Sequence, residues 1–76
     1  MIRIDARGQK CPLPVIALAR QARDMDAGQQ VRVLADDPAA RHDIPAWCRL
    51  KGHSVTAKDH GDHSAYTVTV GDPASG

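Results

Sequence analysis

Four short stretches of the chain are predicted to be β-strands, and in the first, third and fourth of them apolar and polar residues alternate, as is typical of strands. The third and fourth stretches are joined by polar residues that include a glycine, as expected for a hairpin loop. The second stretch is almost continuously apolar, which predicts a buried strand. The four predicted strands lie at residues 1–5, 31–35, 54–58 and 66–70.

A helical period replaces the alternation between the first and second strands. From Pro12 to Asp26 the apolar residues recur every three or four positions and would form one stripe facing a core. Gly28 can adopt the left-handed conformation that often ends a helix. The pattern therefore predicts a first helix over residues 12–26 that ends at this glycine.

A second helical stretch follows the second strand. The segment Asp36–Asp37–Pro38 predicts a strand end, a helix cap and a first helical residue. A proline inside a helix removes a hydrogen bond and clashes with the preceding turn. Pro45 therefore predicts a loose turn followed by a helix that restarts with Asp43 as its cap and closes at Gly52.

The element order strand–helix–strand–helix–strand–strand limits the possible folds. A strand–helix–strand unit makes its two strands parallel, while the final hairpin must be antiparallel. We therefore expect a two-layer α/β sandwich with a mixed four-stranded sheet and both helices on one face. The domain is expected over residues 1–70, and residues 71–76 are expected to form a disordered tail.

Composition narrows the possible functions. The 76 residues carry a net charge of only +1, and no window holds a run of basic residues, which disfavours a nucleic-acid partner. No apolar stretch approaches the ~18 residues that span a bilayer, and no secretory signal opens the sequence, so we expect no membrane partner and a cytoplasmic protein. A chain of this length and composition can form only a thin core. Such a core leaves no room for a flavin, a haem or a nucleotide, and no cofactor is expected.

The segment Lys10–Cys11–Pro12–Leu13–Pro14 is the most informative part of the sequence. Two prolines this close together fit the first turn of a helix, where backbone donors are not needed. This places Cys11 at or beside the helix N-terminus, whose dipole, together with Lys10, is expected to lower the thiol pKa. On these grounds alone a reactive cysteine and an inert buried one both remain open.

Other candidate residues have simpler interpretations. Cys48 and Trp47 fall beside the apolar stripe of the second helix and are expected to pack in the core. His60, Asp62 and His63 lie in the hairpin loop, where polar residues commonly build turns. We therefore expect no metal site in this loop.

The motif around Cys11 resembles the hallmark of the TusA/SirA-like family of small sulfur-carrier proteins, Cys-Pro-x-Pro at the start of the first helix. Further residues match the family pattern at the expected spacing, and the resemblance covers roughly residues 2 to 70. The matching residues are Asp5, Gly8, Cys11–Val15, Ala35–Ala39, Asp43–Pro45, Cys48, Gly52 and His53. Members of this family share the element order predicted above.

The resemblance implies a sulfur relay. Cys11 would accept sulfane sulfur as a persulfide from a donor such as a cysteine desulfurase and pass it to an acceptor protein, with Lys10, Pro12, Leu13 and Pro14 as supporting residues. It implies no metal or cofactor. The pathway stays open among tRNA thiolation, molybdenum-cofactor supply and sulfur oxidation. The alternative is a non-catalytic module that binds a protein or RNA.

Overall fold

The computed structural model describes residues 2–71 and contains four strands and two helices in the predicted order. The tail expected at residues 71–76 lies outside the described residues except for Gly71. The elements are β1 Ile2–Asp5, α1 Leu13–Arg23, β2 Gln30–Ala35, α2 Ala40–Lys51, β3 Ser54–Asp59 and β4 Ser64–Thr69.

The four strands form one mixed sheet in the order β1-β2-β4-β3. β1 pairs with β2 in parallel, and β4 pairs antiparallel with both β2 and β3. The predicted fold class is therefore confirmed. Ser64 at the start of β4 pairs with Ala35 and with Asp59. The ends of β1, β2 and β3 consequently meet at one edge of the sheet, where the loop that carries Cys11 begins.

The core lies between one face of the sheet and the two helices. Buried residues alternate along β2, as the pleat of a half-covered strand requires. In α2 the buried residues are spaced four apart, which aligns them on one side of the helix. The largest fully buried side chains are Tyr66, Leu18, Ile44, Val31, Val33, Val68, Pro14 and Cys48.

The first helix is shorter than predicted. It ends at Arg23, because the amides of Asp24 and Met25 bond three residues back instead of four, to Gln21 and Ala22. Met25 is buried although it lies beyond the helix. Gly28 has a φ of 90° but occupies a later turn, where its N–H donates to the Val70 carbonyl at 2.8 Å. The apolar periodicity of the sequence continues past the last helical residue, so the predicted end of the helix lies too far along the chain.

The second helix is continuous, so the predicted restart at Asp43 is wrong. Helix α2 begins at Ala40 and contains Pro45, while the Asp43 N–H donates to the Ala39 carbonyl at 2.9 Å in the first turn. Pro45 removes only one backbone donor, and burial of the apolar face offsets that loss. The predicted helix cap at Asp37 and first helical residue at Pro38 are also wrong, since Ala39 occupies the cap position without a side-chain cap bond. Asp37 Oδ1 instead accepts the Ala39 N–H at 3.0 Å in the turn before the helix.

The C-terminal end of α2 contacts the segment that follows β4. Gly52 ends the helix with a φ of 77°, as predicted, and the His53 N–H bonds to the Cys48 carbonyl at 2.8 Å. Gly71 donates its N–H to His53 Nδ1 at 2.9 Å, and a Cβ at Gly71 would clash with the Gly52 carbonyl. Trp47 is only half-buried, packs against the core and lies with its ring centroid 5.1 Å from that of His53.

Candidate functional site around Cys11

Cys11 lies in the loop between β1 and α1, directly before the residue that caps the helix. Pro12 occupies the cap position, and Pro14 is buried in the first turn. The Leu13 N–H donates to the Lys10 carbonyl at 2.9 Å. The prolines thus occupy positions where no backbone donor is needed, which confirms their predicted placement at the start of the helix. The Cys11–Pro12 peptide bond is cis.

Two consecutive carboxylates at the end of β2 hold the Cys11 loop. The Gly8 N–H donates to both oxygens of Asp36, at 3.0 and 2.9 Å. The Cys11 N–H donates to Asp37 Oδ2 at 2.8 Å, while the other oxygen of Asp37 caps the turn before α2. The loop is therefore tied to a strand that follows it by 26 and 28 residues.

Sequence reasoning missed this connection. It gave Asp36 and Asp37 only the roles of strand end and helix cap. The available signal was that β1 and β2 are parallel neighbours, since the loops that follow neighbouring parallel strands leave the same edge of the sheet. Two acidic residues directly after β2 are therefore placed to accept amide protons from the loop after β1.

The pKa of the Cys11 thiol is raised to about 11, so the expected lowering is wrong. Partial burial is the largest cause, followed by hydrogen bonding to Asp43 and by the negative charges of Asp43 and Asp37. The two carboxylates come from the segment after β2 and the first turn of α2, and no local pattern of residues indicates that they face the thiol. The pKa of Asp37 is lowered chiefly by the hydrogen bonds that it accepts from the Cys11 and Ala39 amides, and Lys10 makes a smaller contribution.

The surface beside Cys11 is partly apolar. Leu13 is 52% exposed and Ile16 is 41% exposed, and their spacing of three residues places them on one side of α1. Lys10 and Pro12 are also exposed. The loop and the first turn of α1 therefore present an accessible rim around the half-buried thiol, and Leu13 and Ile16 form the apolar patch of that rim.

A polar cavity of about 170 Å³ adjoins the carboxylates that hold the loop. Asp36 and Asp37 line it on one side, and Arg41, His63 and Tyr66 contribute to its other walls. The pKa of the Tyr66 phenol is raised chiefly by burial, with a smaller contribution from the charge of Cys11. The cavity therefore lies near the thiol and is lined by both charge signs.

The remaining candidates are Cys48 and the loop residues His60, Asp62 and His63, of which Asp62 and His63 line the cavity described above. Cys48 is fully buried and unpaired, which confirms its predicted packing role. The rings of His60 and His63 stack at 5.1 Å, and Asp62 lies 2.6 Å from His63 Nδ1. Among residues 2–71 no three His, Cys, Asp or Glu side chains are grouped so that they could hold a metal ion. Within the same residues no helix is long and apolar enough to cross a membrane.

The fold and site define a small α/β protein whose accessible cysteine stands ahead of its first helix. The family model described as "Sulfurtransferase TusA" matches residues 2–71, and the chain belongs to this family. A crystal structure of a SirA-like protein from Desulfitobacterium hafniense is similar, with a TM-score of 0.83 and 31% sequence identity, over 95% of this chain and 100% of that one. The resemblance seen in the sequence is confirmed, and membership of the family supports a general role in sulfur transfer.

Proposed function

We propose that the protein carries sulfane sulfur as a persulfide on Cys11, between a donor such as a cysteine desulfurase and an acceptor protein. The observation that supports this most directly is the contrast between the two thiols. Cys11 lies in a loop whose backbone is held at both Gly8 and Cys11, whereas Cys48 is 0% exposed. A carrier needs one sulfur that a partner can reach, on a backbone that does not move when the partner arrives.

The transfer is an exchange between sulfur atoms. The Cys11 sulfur attacks the outer sulfur of the donor's persulfide, a new S–S bond forms on Cys11, and the donor's S–S bond breaks. The thiol proton of Cys11 leaves, and the donor sulfur takes up one proton to become a thiol. No external oxidant or reductant is needed, because the sulfane sulfur keeps its oxidation state. Delivery repeats the same exchange, with the acceptor's thiolate attacking the persulfide on Cys11.

Because the pKa of Cys11 is raised, the partner protein would have to promote formation of the thiolate. With a pKa of about 11, roughly one molecule in ten thousand carries the thiolate at pH 7. A cationic side chain that faced Asp37 and Asp43 would offset the negative potential at the sulfur and favour the thiolate. In this mechanism the free carrier stays unreactive toward other thiols and electrophiles, and docking activates it.

The apolar patch of Leu13 and Ile16 is the part of the rim best suited to docking. Exposed apolar side chains beside a functional group are common at contact surfaces, where their burial contributes to affinity. A partner that covered Leu13 would bring its own sulfur close to Cys11. No residue of this rim selects one sulfur pathway over another, and we place the relay in the cytoplasm, where thiols stay reduced.

A labelling experiment separates a carrier from a non-catalytic module. Wild type, Cys11→Ser and Cys48→Ser are incubated with a pyridoxal-phosphate-dependent desulfurase and cysteine that carries labelled sulfur. A carrier acquires label on wild type and on Cys48→Ser but not on Cys11→Ser, and a thiol reductant releases all of it. Circular dichroism checks that each variant is folded. Label on Cys11→Ser would exclude Cys11 as the carrier, and no label on any variant would favour the interaction module.

A further inference from the structure

The face of the sheet that the helices leave uncovered, called here the open face, is polar and cationic. The strand register and the alternation of side chains place eleven residues on it. They are Arg3 and Asp5 from β1, Gln30, Arg32 and Leu34 from β2, Ala65, Thr67 and Thr69 from β4, and Ser54, Thr56 and Lys58 from β3.

Positive charge dominates the open face. It carries three cations, Arg3, Arg32 and Lys58, and one carboxylate, Asp5. Arg7 binds Asp5 at 2.8 Å, so the charge of that carboxylate is already compensated. Among the ion pairs of residues 2–71 none involves any of the three cations. An unpaired cluster of one charge sign is a surface suited to polyanions.

The need to prevent the sheet from pairing with other sheets does not by itself explain the position of Arg32. Charged residues on edge strands prevent sheets from pairing with each other, which accounts for Arg3 on β1 and Lys58 on β3. Arg32, however, lies on the inner strand β2 and directly beside Arg3 in the register. Like charges on neighbouring positions of a sheet are destabilising. Such local conflicts are characteristic of functional surfaces.

A shallow depression of about 260 Å³ lies on the open face beside these cations. Among the described residues its lining contains no carboxylate, and small or hydroxyl-bearing side chains separate the charged ones. The lining consists of Arg32, Thr56, Ala57, Lys58, His60, Ala65 and Thr67. Arginine, lysine and threonine are among the side chains that contact nucleic-acid phosphates.

The spread of the cations indicates a ligand with several phosphates. Arg3 and Lys58 are separated by three strand spacings, about 14 Å at ~4.8 Å per spacing, which one phosphate cannot bridge. Trp47 and Tyr66 pack with the core on the other side, so the open face presents no tryptophan, tyrosine or phenylalanine on which unpaired bases could stack. Four hydroxyl-bearing side chains on the open face can contact the wide, shallow minor groove of A-form RNA, which displays 2′-hydroxyls.

We propose that the open face binds the phosphate backbone of double-stranded RNA through Arg3, Arg32 and Lys58. The sequence shows no basic run because these residues lie at positions 3, 32 and 58 and come together only in the sheet. The proposal departs from the expectation that nucleic acid would not be a direct partner. The proposal is independent of the sulfur relay, since no residue of the Cys11 loop lies on the open face.

The test is fluorescence anisotropy with a labelled RNA duplex of twelve base pairs in 20 mM KCl and at rising salt. Three phosphate contacts predict a slope of log Kd against log salt of about 2 to 3. The triple variant Arg3→Gln, Arg32→Gln, Lys58→Gln should weaken binding about tenfold or more and abolish most of that slope. The matched control Arg20→Gln, Arg23→Gln, Lys51→Gln removes the same charge from exposed helical positions and should change Kd less than about twofold.

Four results would overturn the proposal: no binding in 20 mM KCl, equal losses in the two triple variants, equal affinity for a DNA duplex of the same sequence, or equal affinity for polyglutamate. If the open-face triple does not fold, amide chemical shifts of the wild type decide. Addition of the RNA duplex must then shift the amides of residues 3, 32, 58 and 67 more than those of α1, and the reverse pattern contradicts the proposal.

Discussion

At the scale of single residues, the carboxylates of Asp37 and Asp43 determine how the Cys11 thiol behaves. A cysteine beside a helix N-terminus ordinarily has a lowered pKa. Here partial burial and two negative charges outweigh the dipole, and the pKa rises to about 11. The reactivity of this cysteine therefore depends on residues far from it in the sequence, which the local motif does not reveal.

Asp43→Asn should make Cys11 more reactive. The substitution removes a negative charge near the sulfur, so the thiol pKa should fall and alkylation by iodoacetamide at pH 8 should accelerate about threefold or more. The rate is measured on the Cys11 peptide by mass spectrometry, with Asp24→Asn as the control at a distant exposed position. An unchanged or slower rate in Asp43→Asn would contradict the electrostatic account.

The buried thiol of Cys48 should make the fold sensitive to alkaline pH. Its pKa is raised to about 11 by burial, above the value of about 8.5 in an unfolded chain. Its contribution to stability is complete below pH 8.5 and is lost as the pH rises toward 11. Between pH 7 and pH 10 this costs about 2 kcal/mol. Urea unfolding should show a larger loss over this interval in wild type than in Cys48→Ala, and equal losses would contradict the assignment.

At the scale of elements, the predictions that succeeded rest on short-range patterns. The nearly continuous apolar composition of residues 31–35 identified β2, and the αL conformation of Gly52 ended α2 as expected. Those that failed depended on tertiary contacts. The apolar period continued to Met25 because that residue is buried without being helical, and Pro45 is accommodated because the rest of α2 packs on the sheet.

The buried residues of α2 should contribute more to the free energy of unfolding than its partly exposed residues. Ile44 is 0% exposed, so Ile44→Ala should lower the free energy of unfolding by about 2 to 5 kcal/mol. Trp47 is larger but only half-buried, and Trp47→Ala should cost less than Ile44→Ala. Urea unfolding of the two variants compares them directly. A larger decrease in the free energy of unfolding for Trp47→Ala would show that the margin of the core contributes more to stability than its centre.

At the scale of the whole molecule, residues distant in sequence meet at both ends of the sheet, one where the Cys11 loop begins and the other beyond the end of β4. The order of elements and the parallel pairing of β1 with β2 could be predicted, and so could the position of Cys11 ahead of the first helix. The contacts of Asp36 and Asp37 with the loop could not, because the register between strands and the direction of side chains are set by packing. For the same reason the cations of the open face were invisible in the sequence.

The hydrogen bond between Gly71 and His53 should give the whole fold a sensitivity to acid. His53 Nδ1 accepts the Gly71 N–H, and burial is the main cause that lowers the His53 pKa from its ordinary 6.5. Neutral His53 therefore stabilises the fold above pH 6.5, and this contribution is lost as the pH falls below that value. Thermal melts of wild type at pH 7.5 and 5.5 should differ more than those of His53→Gln, and an equal difference would contradict this role.

The two oxygens of Asp37 act on different parts of the molecule, one on the Cys11 amide and one on the turn that leads into α2. The amide proton of Cys11 is therefore shielded by a residue that lies shortly after β2, although Cys11 itself lies in a loop. Exchange of that proton with deuterated solvent should follow the opening of β2 and α2 rather than local fraying of the loop. A spectroscopist could thus use one slowly exchanging amide beside the thiol to detect a partner that binds at the start of the second helix.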